Sequence, residues 1–176
     1  MTPIDALQGR ESLKKGAAAA WPICLGYIPI GLAFGVLAQK IGLSPVQIGL
    51  MSLLVFAGSA QFIAVSMLAS GASAASIIAT TFMVNLRHLL MSSSLAVYLV
   101  GRRRALLSLF AYGITDESYG VNLDQFRSGR WGIGPALALN HTANIVWVTS
   151  LAGIIYFARS PFSGASRHRP PPSRPT

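Results

Sequence analysis

The sequence predicts an all-α polytopic membrane protein with about five apolar segments, at least one of them kinked or broken. Three observations predict it. Of 176 residues, 52% are hydrophobic and only 11% charged, whereas soluble domains carry roughly 25% charged residues. The apolar residues fall into blocks long enough to cross a bilayer. Those blocks also enclose a few strongly polar side chains, which at bilayer depth are costly and face a bundle interior or an aqueous path.

The elements follow in order. Residues 1–15 are polar and mixed in charge, a lead-in to the membrane region of residues 16–157. Lys14 and Lys15 before an apolar run resemble a signal peptide. The run is too long for one, however, and further apolar blocks follow, so it reads as a retained first span over 16–38. At 1.5 Å per residue this span is roughly 34 Å long. Pro22 and Pro29 inside it predict kinks. Gly42-Leu43-Ser44-Pro45 is a helix start signal for a second block over 46–68. Ala57-Gly58-Ser59-Ala60 in that block permits close helix approach. The third block, 77–100, ends at Arg102-Arg103-Arg104. An amphipathic fourth covers 105–121, a polar stretch 122–130, and a fifth block 132–157.

Orientation conflicts with a simple count. Lys14 and Lys15 place the N-terminus in the cytoplasm, and three full crossings then put the Arg102–Arg104 run outside. Either the region 57–76 is broken or re-entrant, or the third block enters as two half-segments around Arg87 and His88; the sequence leaves both open.

Net charge is +9, from 14 basic against 5 acidic residues. That excess suits loops meeting an anionic leaflet and argues against a nucleic-acid partner, because no basic segment is interleaved with aromatics on a soluble domain. Cys24 is the single cysteine, excluding an internal disulfide and a cysteine zinc site. No cofactor or metal motif is present.

Thr81, Asn85, His88 and Ser92 share one helical face, with Arg87 about 100° away. Arg87 suits a substrate carboxylate and His88 a proton, against an alternative of an interhelical hydrogen-bond seam. Asp116 and Glu117 suit a coupling proton or cation, or a pairing with Arg87; alternatively they cap a helix start. Asn140, Asn144 and Trp147 share a face of the fifth block, lining a path or joining helices. Gly71-Ala72-Ser73-Ala74 matches a loose serine-hydrolase pattern, with His88 and His141 as partners, which gives a rival reading as an intramembrane hydrolase.

The ordered series Pro22-x3-Gly26-x2-Pro29-x-Gly31, Ala33-Phe34-Gly35, Gly42-Leu43-Ser44, Ser59-Ala60-Gln61-Phe62, Asn85-Leu86-Arg87-His88, Thr115-Asp116-Glu117-Ser118 and Asn140 to Trp147 resembles the AzlC-type branched-chain amino-acid permeases. The resemblance implies a non-enzymatic exporter of branched-chain amino acids in a bacterial inner membrane. It further implies ion-gradient drive, no cofactor, and a small AzlD-type membrane partner subunit. It marks Gln61, Asn85, Arg87, His88, Asp116 and Glu117 as candidate positions; their side-chain chemistry, not the resemblance, assigns Arg87, Asn85 and Gln61, joined by Asn144, to substrate binding and Asp116, Glu117 and His88 to coupling. Family members continue with further spans, whereas residues 158–176 here are rich in Arg and Pro. That stretch is expected to be a disordered tail resembling out-of-frame reading of a GC-rich gene, which adds a third reading as a truncated, non-transporting product.

Overall fold

A computed structural model describes the backbone of residues 3–158 and the side chains of residues 9–151; the tail expectation lies outside them. Eight helices and no strands occur among the described residues: α1 Pro3–Ala19, α2 Trp21–Lys40, α3 Pro45–Val55, α4 Gly58–Ala69, α5 Ala74–Ala96, α6 Arg104–Tyr112, α7 Asp116–Arg127 and α8 Ile133–Ala158.

The chain is already helical through its polar start, and the first apolar helix begins at Trp21, not at residue 16. Pro22 accounts for the boundary. It stands in the first turn of α2, where a missing N–H costs nothing, so it starts a helix, and only Pro29 lies inside one. Ile23, Cys24, Tyr27, Phe34 and Ala38 form the buried face of α2. That face packs on α8 through Leu139, Ala143, Trp147 and Leu151.

Helix α3 starts where the sequence predicts. Ser44 accepts from the backbone N–H of Gln47, and the Gln47 side chain accepts from the Ser44 N–H, a reciprocal capping box ahead of Pro45. The helix stops at Phe56, the one non-glycine residue with positive φ (38°) among those described. Restarting at Gly58 splits the second apolar block into pieces of 11 and 12 residues. Each is about 16–18 Å long, too short to cross a bilayer alone.

Of the two ways to resolve the orientation conflict, the break in the second block is therefore present, while α5 runs unbroken past Arg87 and His88. The fourth block is split as well. Residues 113–115 separate α6 from α7, and the polar stretch from residue 122 continues α7 as far as Arg127. Thr115 forms a second capping box with Ser118 and so fixes that restart. A long helix followed by a short pair thus occurs twice, as α2 with α3/α4 and α5 with α6/α7, before α8 closes the order.

Among the described residues two helices, Trp21–Lys40 and Ala74–Ala96, are long and apolar enough to cross a membrane. The outer surface is apolar too: Leu25, Ile28, Ile78, Phe82 and Leu90 are exposed. In a soluble protein so many exposed large apolar side chains would be a liability.

Candidate functional site

Both helix breaks open onto one cavity of about 280 Å³. Tyr27 and Ile30 reach it from α2, Phe56 to Ser59 from the α3–α4 break, Arg87 and His88 from α5, Thr115 to Glu117 from the start of α7, and Trp147 from α8. Local sequence explains the convergence. A helix that begins inside a bundle presents backbone N–H groups without intrahelical partners. At α4 no side chain caps them; at α7 the two acids Asp116 and Glu117 occupy the first turn, where the helix dipole favours negative charge.

Arg87 joins three helices. Its Nη1 donates to Asp116 Oδ2 at 2.7 Å, and its Nη2 donates to Ser59 Oγ. The pair is half-open to the cavity, with side-chain exposures of 35% and 51%. The Arg87 Nε is buried with no partner among the described residues. Glu117 takes a different partner: Tyr27 donates its hydroxyl to Oε2 at 2.7 Å, and the same hydroxyl lies 2.8 Å from Thr115 Oγ1. One guanidinium thus faces two carboxylates, of which one is ion-paired and the other is held by a neutral phenol. With both carboxylates ionised, this trio carries a net charge of about −1. The remaining wall, from Ile30, Phe56, Phe62 and Trp147, is apolar.

The structure brings together four of the candidates from the sequence: Arg87, His88, Asp116 and Glu117. His88 Nδ1 lies 3.3 Å from the Asn85 carbonyl. Asn85, Gln61 and Asn144 do not line the cavity. Gln61 is fully buried behind Trp147, donating to Ser52 and accepting from the indole. Asn85 Oδ1 and Asn144 Nδ2 are buried without partners among the described residues. Both acidic residues also occupy the helix-start positions that the capping alternative required. Thr81 spends its hydroxyl on the Ile77 carbonyl of its own helix. Ser73 caps α5 and bonds Ser76, with neither histidine among its partners.

Tyr27, Ser59 and Thr115 escaped the sequence reading as site residues. Thr115 carries a usable signal, because a threonine followed directly by two acids and then by serine matches a helix N-terminus. A lone tyrosine or serine in an apolar block has no comparable signal.

These features, an all-helical apolar exterior and charged side chains gathered at two helix breaks, define a membrane-embedded class rather than a soluble domain. The family model described as AzlC protein matches residues 22–158, and the chain belongs to that family. Over 131 residues it is 36% identical to an uncharacterized membrane protein of Archaeoglobus fulgidus, covering 74% of this chain and 58% of that one. Inner membrane protein YgaZ of Escherichia coli is 32% identical over 144 residues, 78% of this chain and 58% of its own length. The branched-chain amino acid transport protein AzlC of Bacillus subtilis is 33% identical over 101 residues, 57% and 39% respectively. The chain thus spans between 39% and 58% of the length of these curated relatives. No solved structure matches it.

Proposed function

We propose that this protein exports branched-chain amino acids as a multi-pass permease of a bacterial inner membrane, with residues 16–157 as its transmembrane region. In this reading about five segments cross, the split pair α3/α4 counting as one. One observation carries it: a cation and two carboxylates converge with an uncapped helix start on a cavity whose other wall is apolar. A zwitterion with an aliphatic side chain has the complementary shape. Its carboxylate engages Arg87 and the free N–H groups at the start of α4. Its ammonium engages Glu117, where the site has negative charge to spare, and its side chain lies against Ile30, Phe62 and Trp147.

Transport is by alternating access and driven by an ion gradient. Asp116 or Glu117, with His88, carries the coupling proton. Occupancy by substrate competes with Asp116 for Arg87, which makes the ion pair a natural point of coupling between binding and helix movement. Asn85 and Asn144 contribute from behind the wall through their unpartnered amide atoms. A small AzlD-type subunit completes the transporter.

The test is efflux of labelled valine or isoleucine, preloaded as dipeptide, in a host lacking its own exporters, with and without such a subunit. Hydrogen bonds to charged groups are worth about 1.5–3 kcal/mol. Arg87→Ala should therefore lower efflux at least about tenfold, and Asp116→Asn should also impair it. Unchanged export by both variants, each inserted at the normal level, would refute the assignment.

A further inference from the structure

We propose that Trp147 sets the size of the side chain the cavity accepts, with Gln61 and Ser52 acting through it as positioning residues. This rests on the amino-acid reading of the cavity given above. Trp147 is 3% exposed and forms the α8 side of the cavity. Its indole N–H donates to Gln61 Oε1 at 3.1 Å, and Gln61 Nε2 donates to Ser52 Oγ at 2.9 Å. Gln61 and Ser52 are both fully buried. The two bonds use both ends of the amide, so its orientation has one solution.

The ring is confined on its other sides as well. Tyr27 meets it edge-on, with centroids 5.3 Å apart and planes at 74°. Phe34 stacks at 6.3 Å and 28°. A methyl group at Gly58 would stand 3.2 Å from Cη2, closer than an ordinary carbon contact. The indole cannot swing away from the cavity without giving up its hydrogen bond to Gln61 on α4, and Gln61 is itself tied across the α3–α4 break by its bond to Ser52 on α3. A wall held this way converts side-chain volume into selectivity, about tenfold or more per methylene in a hydrophobic pocket. The same strut makes the wall's position depend on the geometry of the break.

The experiment is competition binding of labelled leucine to the purified full chain in detergent, with valine and phenylalanine as competitors. The readout is the ratio of their inhibition constants, which a general loss of stability does not shift in one direction. Trp147→Phe removes the outer ring and the N–H, so phenylalanine should gain on valine by about tenfold. Gln61→Leu keeps the indole but frees it, giving a smaller shift of the same sign. Adding Gln61→Leu to Trp147→Phe should change little further, since one strut is broken only once. Gly58 lines the same cavity, so Gly58→Ala adds a methyl group against the ring there and should disfavour phenylalanine. Ratios within about twofold of wild type in both Trp147→Phe and Gly58→Ala, with valine still bound, would overturn the size filter and leave the amino-acid reading standing. Absence of saturable amino-acid binding by wild type would overturn both.

Discussion

Asn122 and Asn140 are both fully buried, yet their replacement by alanine should have very different costs. Asn122 Nδ2 donates to Asn140 Oδ1 at 2.9 Å, and Asn140 Nδ2 donates onward to the Phe110 carbonyl at 3.2 Å. Asn122 Oδ1 has no partner among the described residues. The pair ties α7 and the end of α6 to α8, and so holds the helix start that carries Asp116 and Glu117. Asn140→Ala removes two hydrogen bonds, each worth about 0.6 kcal/mol in a membrane protein. It also leaves the Asn122 amide wholly unpaired, adding about 1–3 kcal/mol. The total is about 2–4 kcal/mol. Asn122→Ala removes one bond and leaves Asn140 Oδ1 without its donor, but it also removes the already unpaired Asn122 Oδ1, so the two stranded acceptors offset, and Asn140 keeps its bond to Phe110. Its cost should be under about 1 kcal/mol. Both variants delete the same atoms from equally buried sites, so cavity terms cancel in the comparison. Reversible unfolding in mixed detergent micelles, followed by tryptophan fluorescence, measures the difference. The double variant should be more stable than Asn140→Ala alone, because no amide is then stranded. Equal costs for the two single variants, or additive costs in the double, would refute the reasoning.

Three other outcomes follow from the packing. Gly31→Ala should destabilise by about 1–3 kcal/mol through overpacking, since the added carbon would stand 1.9 Å from Ser150 Oγ at the α2–α8 contact. Gly26→Ala, with nothing within 4 Å, is the neutral or stabilising control in the same unfolding assay. At the α3–α4 break, Phe56→Gly should be more stable than Phe56→Ala by about 1 kcal/mol, because alanine pays for left-handed backbone that glycine adopts freely; the reverse order would show that the break is not left-handed. Thr115→Ala should cost about 1 kcal/mol in thermal unfolding through loss of the α7 cap. It should also lower efflux by loosening Tyr27 and Glu117, whereas Thr115→Ser should keep both near wild type.

The parts of this protein that were legible in its sequence are those where one residue type admits few explanations. Ser44-Pro45 announced a helix start because both residues favour that position, and the structure puts a capping box there. Arg87, Asp116 and Glu117 stood out because charge is rare in apolar blocks, and they meet at one cavity. The break in the second block was foreseen only as one way to reconcile the basic clusters, and its position was not. Nothing in Val55-Phe56-Ala57 signals left-handed backbone, since phenylalanine takes it only when the surroundings impose it. The split of the fourth block was missed for a related reason. The apolar run continues through Ile114, while α6 ends at Tyr112 against Gly113 and the side chains of Thr115 and Ser118 start α7 anew. Only the family resemblance marks Gln61 as a candidate position, and local pattern says nothing of its partners. Its actual contacts, Trp147 at 86 residues' separation and Ser52, are tertiary and invisible to local pattern.

Helix α5 buries only Leu95 among its 23 residues. Lipid tails dissolve leucine and phenylalanine as well as a protein interior does, so its apolar sides exert almost no restoring force on its position. Besides the packing of Leu95 and Met91 against Phe110, Ile114 and Phe126, what locates it laterally is a handful of polar contacts: Arg87 to Asp116 and Ser59, and Ser94 to Tyr119. The helix is moored by its charges as a boat is by its lines, and whatever changes the partners of one guanidinium also changes where 23 residues lie.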